Sequence, residues 1–370
     1  MAPLELAAVL AAGAYLAGLL GEAWWLRRAR ARLAIVVHVN GTRGKTETTR
    51  LLAAALRAGG LRTLAKTTGT EPRLILEDGS ERPWRRWGAA NVREQRDFLL
   101  LAARRGAQAA VAECMAVSAD AQRASSAFLA PDLLIITNAR PDHQAELGTP
   151  AEMLEVFAEG IPRGGAVLTA DPEVARVLAV APAPPAEPGP WHPENGAVAL
   201  AAALRFGVAR AAALAGMRGH TPDPGAFAVR RVPGTSVTVL DALAANDTVS
   251  TALLFGLGEA RLGRCAAGPR PDGPRVLLIA NRADRPERAL AYARWASADP
   301  GRWDAVLLAG SPGPGARRLL AAAFPGRLRR LRQVRDLALE PAGTVVYAAG
   351  NWQGIGPELA AFAPALEEGP

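Results

Sequence analysis

An apolar run, Ala34 to Val39, breaks directly into Asn40-Gly41-Thr42-Arg43-Gly44-Lys45-Thr46, and the segment from Thr46 to about Gly60 has helical periodicity. This arrangement limits the possible folds more than any other feature of the chain. A strand that turns through two glycines into a helix gathers backbone N–H groups and the helix N-terminus at one point, where a phosphate fits. Lys45 is placed to reach β- and γ-phosphates, and Thr46 to hold Mg2+ by its hydroxyl. The expected nucleotide-binding residues are therefore Asn40, Gly41, Thr42, Arg43, Gly44, Lys45 and Thr46. Val39 stands where the longer phosphate-loop pattern has glycine, so this is the shorter form. Such turns serve kinases, GTPases and ligases alike and do not name the reaction.

With 370 residues, 50% hydrophobic and 21% charged, the chain can bury large cores and has room for two domains. Its two cysteines, Cys114 and Cys265, make neither a disulfide framework nor a zinc site. The net charge of +8 comes from arginines scattered singly among alanines, without a basic stripe or interleaved aromatics, so no nucleic-acid partner is expected. Lysine occurs only at Lys45 and Lys66, histidine at four positions and asparagine at seven. In a background that prefers Arg and Ala, these retained residues point to chemistry that a guanidinium or a methyl group cannot supply.

Short apolar runs at 34–39, 107–113, 132–138 and 165–170 alternate with helical segments, the pattern of a parallel α/β sheet. A Pro-rich stretch, 181–193, reads as a stiff surface loop. After the turn signals at 219–225 the alternation restarts four times, predicting a second, smaller Rossmann-like domain. Glu113, at the C-terminal end of its strand, and His143, after the next, reach the sheet edge where ligands bind in open α/β folds. Glu113 is a metal-ligand candidate with Thr46, and His143 is a candidate for a functional role at the same edge. Residues 3–26 are apolar and long enough to span a bilayer, with Trp24 and Trp25 at the interface and Arg27, Arg28, Arg30 and Arg32 following. This predicts a single-pass anchor with the catalytic domains on the cytoplasmic side of the cell membrane. The expected division is an anchor and basic flank at 1–30, a phosphate-loop domain at 31–220 and a C-terminal domain at 221–370.

Several further blocks accompany the turn: KTTGT at 66–70, NVREQ at 91–95, VAECMAV at 111–117, Asp142-His143, AANDTVST at 244–251, NRADR at 281–285 and Gly350-Asn351. In order and spacing the sequence resembles the ligase subunit of poly-γ-glutamate synthase (PgsB/CapB), a branch of the Mur ligase superfamily. The resemblance implies a P-loop Mur-ligase-like central domain and an ATP- and Mg2+-dependent amide ligase that makes γ-glutamyl bonds through an acyl phosphate. It implies glutamate and the growing γ-glutamyl chain as substrates, and small membrane subunits of the PgsC/CapC and PgsA/CapA kind as partners. By the same resemblance, Thr46 and Glu113 hold the metal on the ATP phosphates and His143 a second metal, while Asn195 approaches the adenine. Asp241, Asn246 and Asp247 join the nucleotide-binding set, Arg282 and Arg285 complete the catalytic site when the domains close, and Lys66 holds the acceptor carboxylate or the γ-phosphate. Ala145 stands where many Mur ligases have a second aspartate, and no lysine follows Lys66. A separate N-terminal domain for a UDP-linked substrate is not expected, which argues against a peptidoglycan precursor. The alternatives are a Mur or folylpolyglutamate-type ligase with another acceptor, and a P-loop kinase or nucleotide switch regulating a membrane complex.

Overall fold

The computed structural model describes residues 3–69, 72–86, 88, 90–116, 118–140, 148–162, 166–265 and 273–366. The chain divides into two compact units, Met1–Thr221 and Pro222–Pro370.

Unit 1 is built on a seven-stranded sheet of order β4-β3-β2-β5-β1-β6-β7. Its strands are β1 (Ile35–Asn40), β2 (Thr63–Thr67), β3 (Arg73–Ile75), β4 (Glu81–Pro83), β5 (Ala109–Glu113), β6 (Leu133–Ile136) and β7 (Ala166–Leu168). The five strands from β2 to β7 in this order are parallel, and β3 and β4 add an antiparallel hairpin. The sequence pattern had not announced the hairpin, because three-residue strands carry too little periodicity to read. Both faces of β1 are covered, which is why it reads as a continuous apolar run. Val37 and Val39 face a core shared with Leu51, Leu52 and Val198, while Val36 faces Phe98, Leu99 and Leu129 on the other side. The helices supplying these layers are α2 (Lys45–Ala58), α3 (Arg93–Arg104), α4 (Ala119–Leu129) and, further on, α7 (Pro193–Arg205) and α8 (Arg210–Arg218). The shorter helices α5 (Pro150–Ala158) and α6 (Pro172–Leu178) cover the β6–β7 edge. The Pro-rich stretch has no regular structure, yet it is not wholly superficial: Ala183 and Ala186 pack on the core and Trp191 is buried within it.

The N-terminal helix α1 (Pro3–Arg30) is one helix long and apolar enough to cross a membrane, over Val9–Arg30. Its last turns belong to unit 1. Glu22 pairs with Arg96 of α3, Leu26 packs beside Trp84 and Leu101, and Arg30 bonds Asp132 at 2.5 Å.

Unit 2 carries a six-stranded sheet of order β12-β11-β10-β13-β9-β8, parallel except for β8. The strands are β8 (Ala228–Arg231), β9 (Thr238–Asp241), β10 (Arg275–Asn281), β11 (Ala305–Gly310), β12 (Leu328–Arg330) and β13 (Val345–Gly350). Helices α9 (Thr248–Cys265), α10 (Pro286–Ala298), α11 (Pro314–Ala323) and α12 (Ile355–Phe362) flank it. One core face is closed by Phe255, Trp295, Trp303 and Tyr347 in edge-to-face and tilted contacts, with ring centroids 5.1–6.5 Å apart.

His38, on β1, is fully buried, with its ring nitrogens 3.2 Å and 3.3 Å from the hydroxyls of Ser125 and Ser126. Burial lowers its pKa from 6.5 to about 4, and burial with the nearby Arg140 does the same to His192. Unfolded, these imidazoles take up protons near pH 6.5; folded, they do so only near pH 4. Between those values the unfolded state binds more protons, so stability falls as the pH falls. His38 contributes about 3 kcal/mol of that fall. We predict that His38→Gln flattens the decline in unfolding free energy between pH 6.5 and 4, as urea titrations would read it; an unchanged slope would refute this.

Candidate active site

The C-terminal ends of the parallel strands of unit 1 converge on the Asn40–Thr46 turn. Gly41 and Gly44 adopt φ of 116° and 81°, in the left-handed region open to glycine. Neither has room for a side chain: a Cβ on Gly44 would lie 2.3 Å from Asn195 Oδ1, and one on Gly41 would lie 2.3 Å from Thr137 Oγ1. Asn138, just beyond β6, holds the turn in shape. Its carbonyl accepts from Thr42 N–H at 3.0 Å, its Oδ1 accepts from Thr42 Oγ1 at 2.7 Å and Arg43 N–H at 3.0 Å, and its Nδ2 donates to Arg43 C=O at 3.1 Å. Lys45 Nζ donates to the carbonyls of Gly41 at 2.7 Å and Thr42 at 3.3 Å, so its charge rests on the turn itself.

Thr46, in the first turn of α2, donates its hydroxyl to Glu113 at 3.0 Å and 3.1 Å, to one carboxylate oxygen and the other. Thr68 N–H also donates to Glu113, at 2.7 Å. Glu113 is buried, and burial raises its pKa while Lys45, Thr68 and Thr46 work in the opposite direction. A carboxylate and a hydroxyl side by side at a helix N-terminus are hard oxygen donors that fit a divalent cation carried on phosphates. Among the described residues no group of three His, Cys, Asp or Glu forms a metal cluster, and Asp142 and His143 lie outside the described residues.

Lys66, on β2, is completely buried. Its ammonium lies 3.1 Å from Glu94 and 5.3 Å from the Trp84 ring centroid, and Arg86 holds the same Glu94 carboxylate at 2.7 Å and 3.3 Å. Burial lowers the Lys66 pKa, and Glu94 offsets that by favouring the charged form. The next residue, Gln95, donates to the Glu113 carbonyl at 2.7 Å. The 91–95 block thus braces both Lys66 and Glu113. Asn195, on α7, reaches the turn from the other side: its Nδ2 donates to Glu47 at 2.5 Å. Glu47 also accepts from His192 N–H at 3.3 Å, and Arg140 bonds Glu194 at 3.1 Å.

In unit 2 the expected residues gather at the ends of β9, β10 and β13. Asn246 takes a left-handed φ of 64°, and Asp247 caps the start of α9 by accepting from Ser250 N–H at 2.8 Å. Arg288, which carried no sequence signal, donates to Asn246 Oδ1 at 2.5 Å and Asn351 Oδ1 at 2.7 Å. Arg282 pairs with Asp284 at the surface, and Arg285 precedes α10. Asp241 does not join them. It is buried at the end of β9 and pairs with Arg230 at 2.8 Å.

Residues 39–182 match the Mur ligase middle domain, and residues 227–365 match the poly-gamma-glutamate synthase CapB C-terminal domain. In fold the chain is similar to MurF from Acinetobacter baumannii, with a TM-score of 0.62, 15% identity and coverage of 92% of this chain and 78% of that one. It is similar also to E. coli FolC in complex with ADP, with a TM-score of 0.59, 18% identity and coverage of 89% and 90%. The fold and the phosphate turn are those of the Mur ligase class of ATP-dependent ligases. Within that class, PGA synthase CapB of Bacillus subtilis (strain 168) is 30% identical over 285 residues, covering 70% of this chain and 71% of that protein. Capsule biosynthesis protein CapB of Bacillus anthracis is 29% identical over 286 residues, covering 71% of this chain and 60% of that protein. The chain belongs to the CapB family, and it is an ATP-dependent amide ligase.

Removing one side of a buried ion pair strands the other charge, at a cost of about 3 kcal/mol or more. Asp241→Ala should therefore lower the stability of unit 2 by roughly that amount, measured by thermal unfolding; a loss below 1 kcal/mol (order of magnitude for an exposed pair) would show the pair to be unimportant.

Proposed function

We propose that the protein extends poly-γ-glutamate by forming γ-amide bonds between glutamate units, with ATP activating the carboxylate as an acyl phosphate. The observation that carries this is the similarity to PGA synthase CapB, together with a C-terminal half that matches the CapB domain. In the first step a carboxylate oxygen attacks the γ-phosphorus and ADP leaves. In the second, the incoming amine attacks the acyl carbon, gives up a proton, and phosphate leaves. Neither step needs a covalent nucleophile from the protein; both need cations placed around developing negative charge.

In this reading Asn40 to Thr46 cradle the nucleotide phosphates, and Lys45 moves from the turn carbonyls onto the β- and γ-phosphates. Thr46 and Glu113 would hold Mg2+, which would supply charge neutralisation on the transferred phosphoryl group, and His143 would ligate a second metal. Lys66 holds the acceptor carboxylate or γ-phosphate, its charge kept available by Glu94. Asn195 borders the adenine. Asn246, Asp247, Arg282 and Arg285 are unit 2's contribution to ligand binding. The sequence-implied nucleotide role of Asp241 sits poorly with its pairing to Arg230, and we assign it to stability instead.

The membrane reading assigns α1 as a single-pass anchor that leaves the two units on the cytoplasmic side, beside PgsC/CapC-like and PgsA/CapA-like subunits. Membranes containing these subunits, given labelled glutamate, ATP and Mg2+, should yield γ-linked polymer. Phosphate release that depends on a different amino acid would favour a Mur or folylpolyglutamate-type acceptor instead.

Two predictions follow from this geometry. Lys45→Ala removes a phosphate cation without opening a core cavity, so ligation should fall about 100-fold or more at unchanged melting temperature; near-wild-type ligation would contradict the assignment. Deleting residues 1–20 should release a folded, nucleotide-binding chain from the membrane. Deleting 1–30 should also cost stability, because it removes Glu22, Leu26 and Arg30 from the body of unit 1. A 1–20 deletion that stayed with the membrane would defeat the single-anchor reading.

A further inference from the structure

Beside the Asn40–Thr46 turn runs a buried chain of polar side chains. Asn40 Oδ1 accepts from Gly41 N–H at 2.8 Å, and Asn40 Nδ2 donates to Gln122 Oε1 at 2.8 Å. The same Oε1 accepts from Cys114 Sγ at 3.1 Å, and Gln122 Nε2 donates to the Ala116 carbonyl at 2.7 Å. Ser125, buried on the same helix as Gln122, has its hydroxyl against His38. Asn40, Cys114, Gln122, Ser125 and His38 are all buried. Burying so many polar groups in an Ala-rich core is tolerated only when they satisfy one another, and a satisfied network fixes one arrangement.

We propose that Gln122 is a positioning residue for nucleotide binding: its side-chain amide ties the phosphate turn to the loop after Glu113 and so sets Lys45 and Thr46 at a fixed distance from Glu113. This rests on the reading of the Asn40–Thr46 turn as the phosphate site. Gln122 sits on α4, outside both loops, and both ends of its amide bond groups outside that helix. It joins Asn40, at the end of β1, to Cys114 and Ala116, which follow β5. On the ligand side the same two elements are joined by the bond from Thr46 to Glu113. That front link lies among the atoms that would meet a cation, the Thr46 hydroxyl and the Glu113 carboxylate. The rear link through Gln122 involves neither the Thr46 hydroxyl nor the Glu113 carboxylate.

The test is ADP binding by calorimetry, with and without Mg2+, alongside KM for ATP and thermal unfolding. Gln122→Met keeps the length and loses every hydrogen bond; ADP affinity should weaken about 5- to 30-fold, the loss of one or two hydrogen bonds, and KM for ATP should rise with it. Gln122→Glu keeps an acceptor for Asn40 and should fall between, which carries the test if the Met variant does not fold. Ser126→Ala cuts the far end of the network at His38 without touching either loop; it should cost stability and leave ADP affinity within about twofold. Wild-type ADP affinity in Gln122→Met, or affinity losses in Gln122→Met and Ser126→Ala that simply track their losses in melting temperature, would overturn the proposal. If Lys45→Ala bound ADP as the wild type does, the phosphate-site reading would fall, and this role with it.

Discussion

Two glycines in left-handed conformation do not hold a phosphate turn by themselves; the backbone freedom that lets them adopt it also lets them leave it. The carboxamide and carbonyl of Asn138 make four hydrogen bonds to Thr42 and Arg43 and so remove that freedom. Only Asn or Gln presents a donor and two-lone-pair acceptor on one planar group, which explains an asparagine here in a chain that uses seven. Everything at the sheet edge depends on this clamp, because α2 starts where the turn ends, and Lys45 and Thr46 are its first residues.

The charges around the turn follow a single rule. Lys66 and Glu113 are buried and Arg140 is partly so, and each has a partner of opposite sign or a set of dipoles: Lys66 with Glu94, Glu113 with Thr46 and Thr68, Arg140 with Glu194. Buried pairs add little net stability. What they add is a fixed arrangement of charge at the sheet edge, which in the proposed reading serves a phosphoryl transfer catalysed by positioning. The pairing of Lys66 with Glu94 is a case in point: burial lowers the pKa of the ammonium, and the carboxylate works against that by favouring the charged form.

Unit 2 applies the same economy differently. Beyond its strand ends Arg288 draws the asparagines Asn246 and Asn351 together, from the segments after β9 and β13. The strained φ of Asn246 is held by this bond and by the bond from its own Nδ2 to Ala244 C=O at 2.9 Å. In unit 1 the helix that is apolar enough for a membrane runs without a break into the folded body, so Leu26 of α1 and Trp84 above Lys66 share one hydrophobic cluster.

The sequence by itself determined the phosphate turn, the alternation of strands and helices, and the apolar N-terminal helix, because each is written in consecutive residues with a local period or spacing. Glu113 was legible for the same reason: it ends a strand, and strand ends meet in a parallel sheet. Only the tertiary structure decided the rest. The Glu94 and Arg86 that brace Lys66, the Arg230 that claims Asp241, the Arg288 between two asparagines and the Gln122 behind the turn all come from other elements. In a chain whose cations are nearly all arginine, no composition singles out the few that are buried. A partner separated by 82 residues, as Gln122 is from Asn40, becomes a partner only when the sheet order β5-β1-β6 brings their helix and loop together. Side-chain pairing across elements is a property of the packed layers and has no period along the chain.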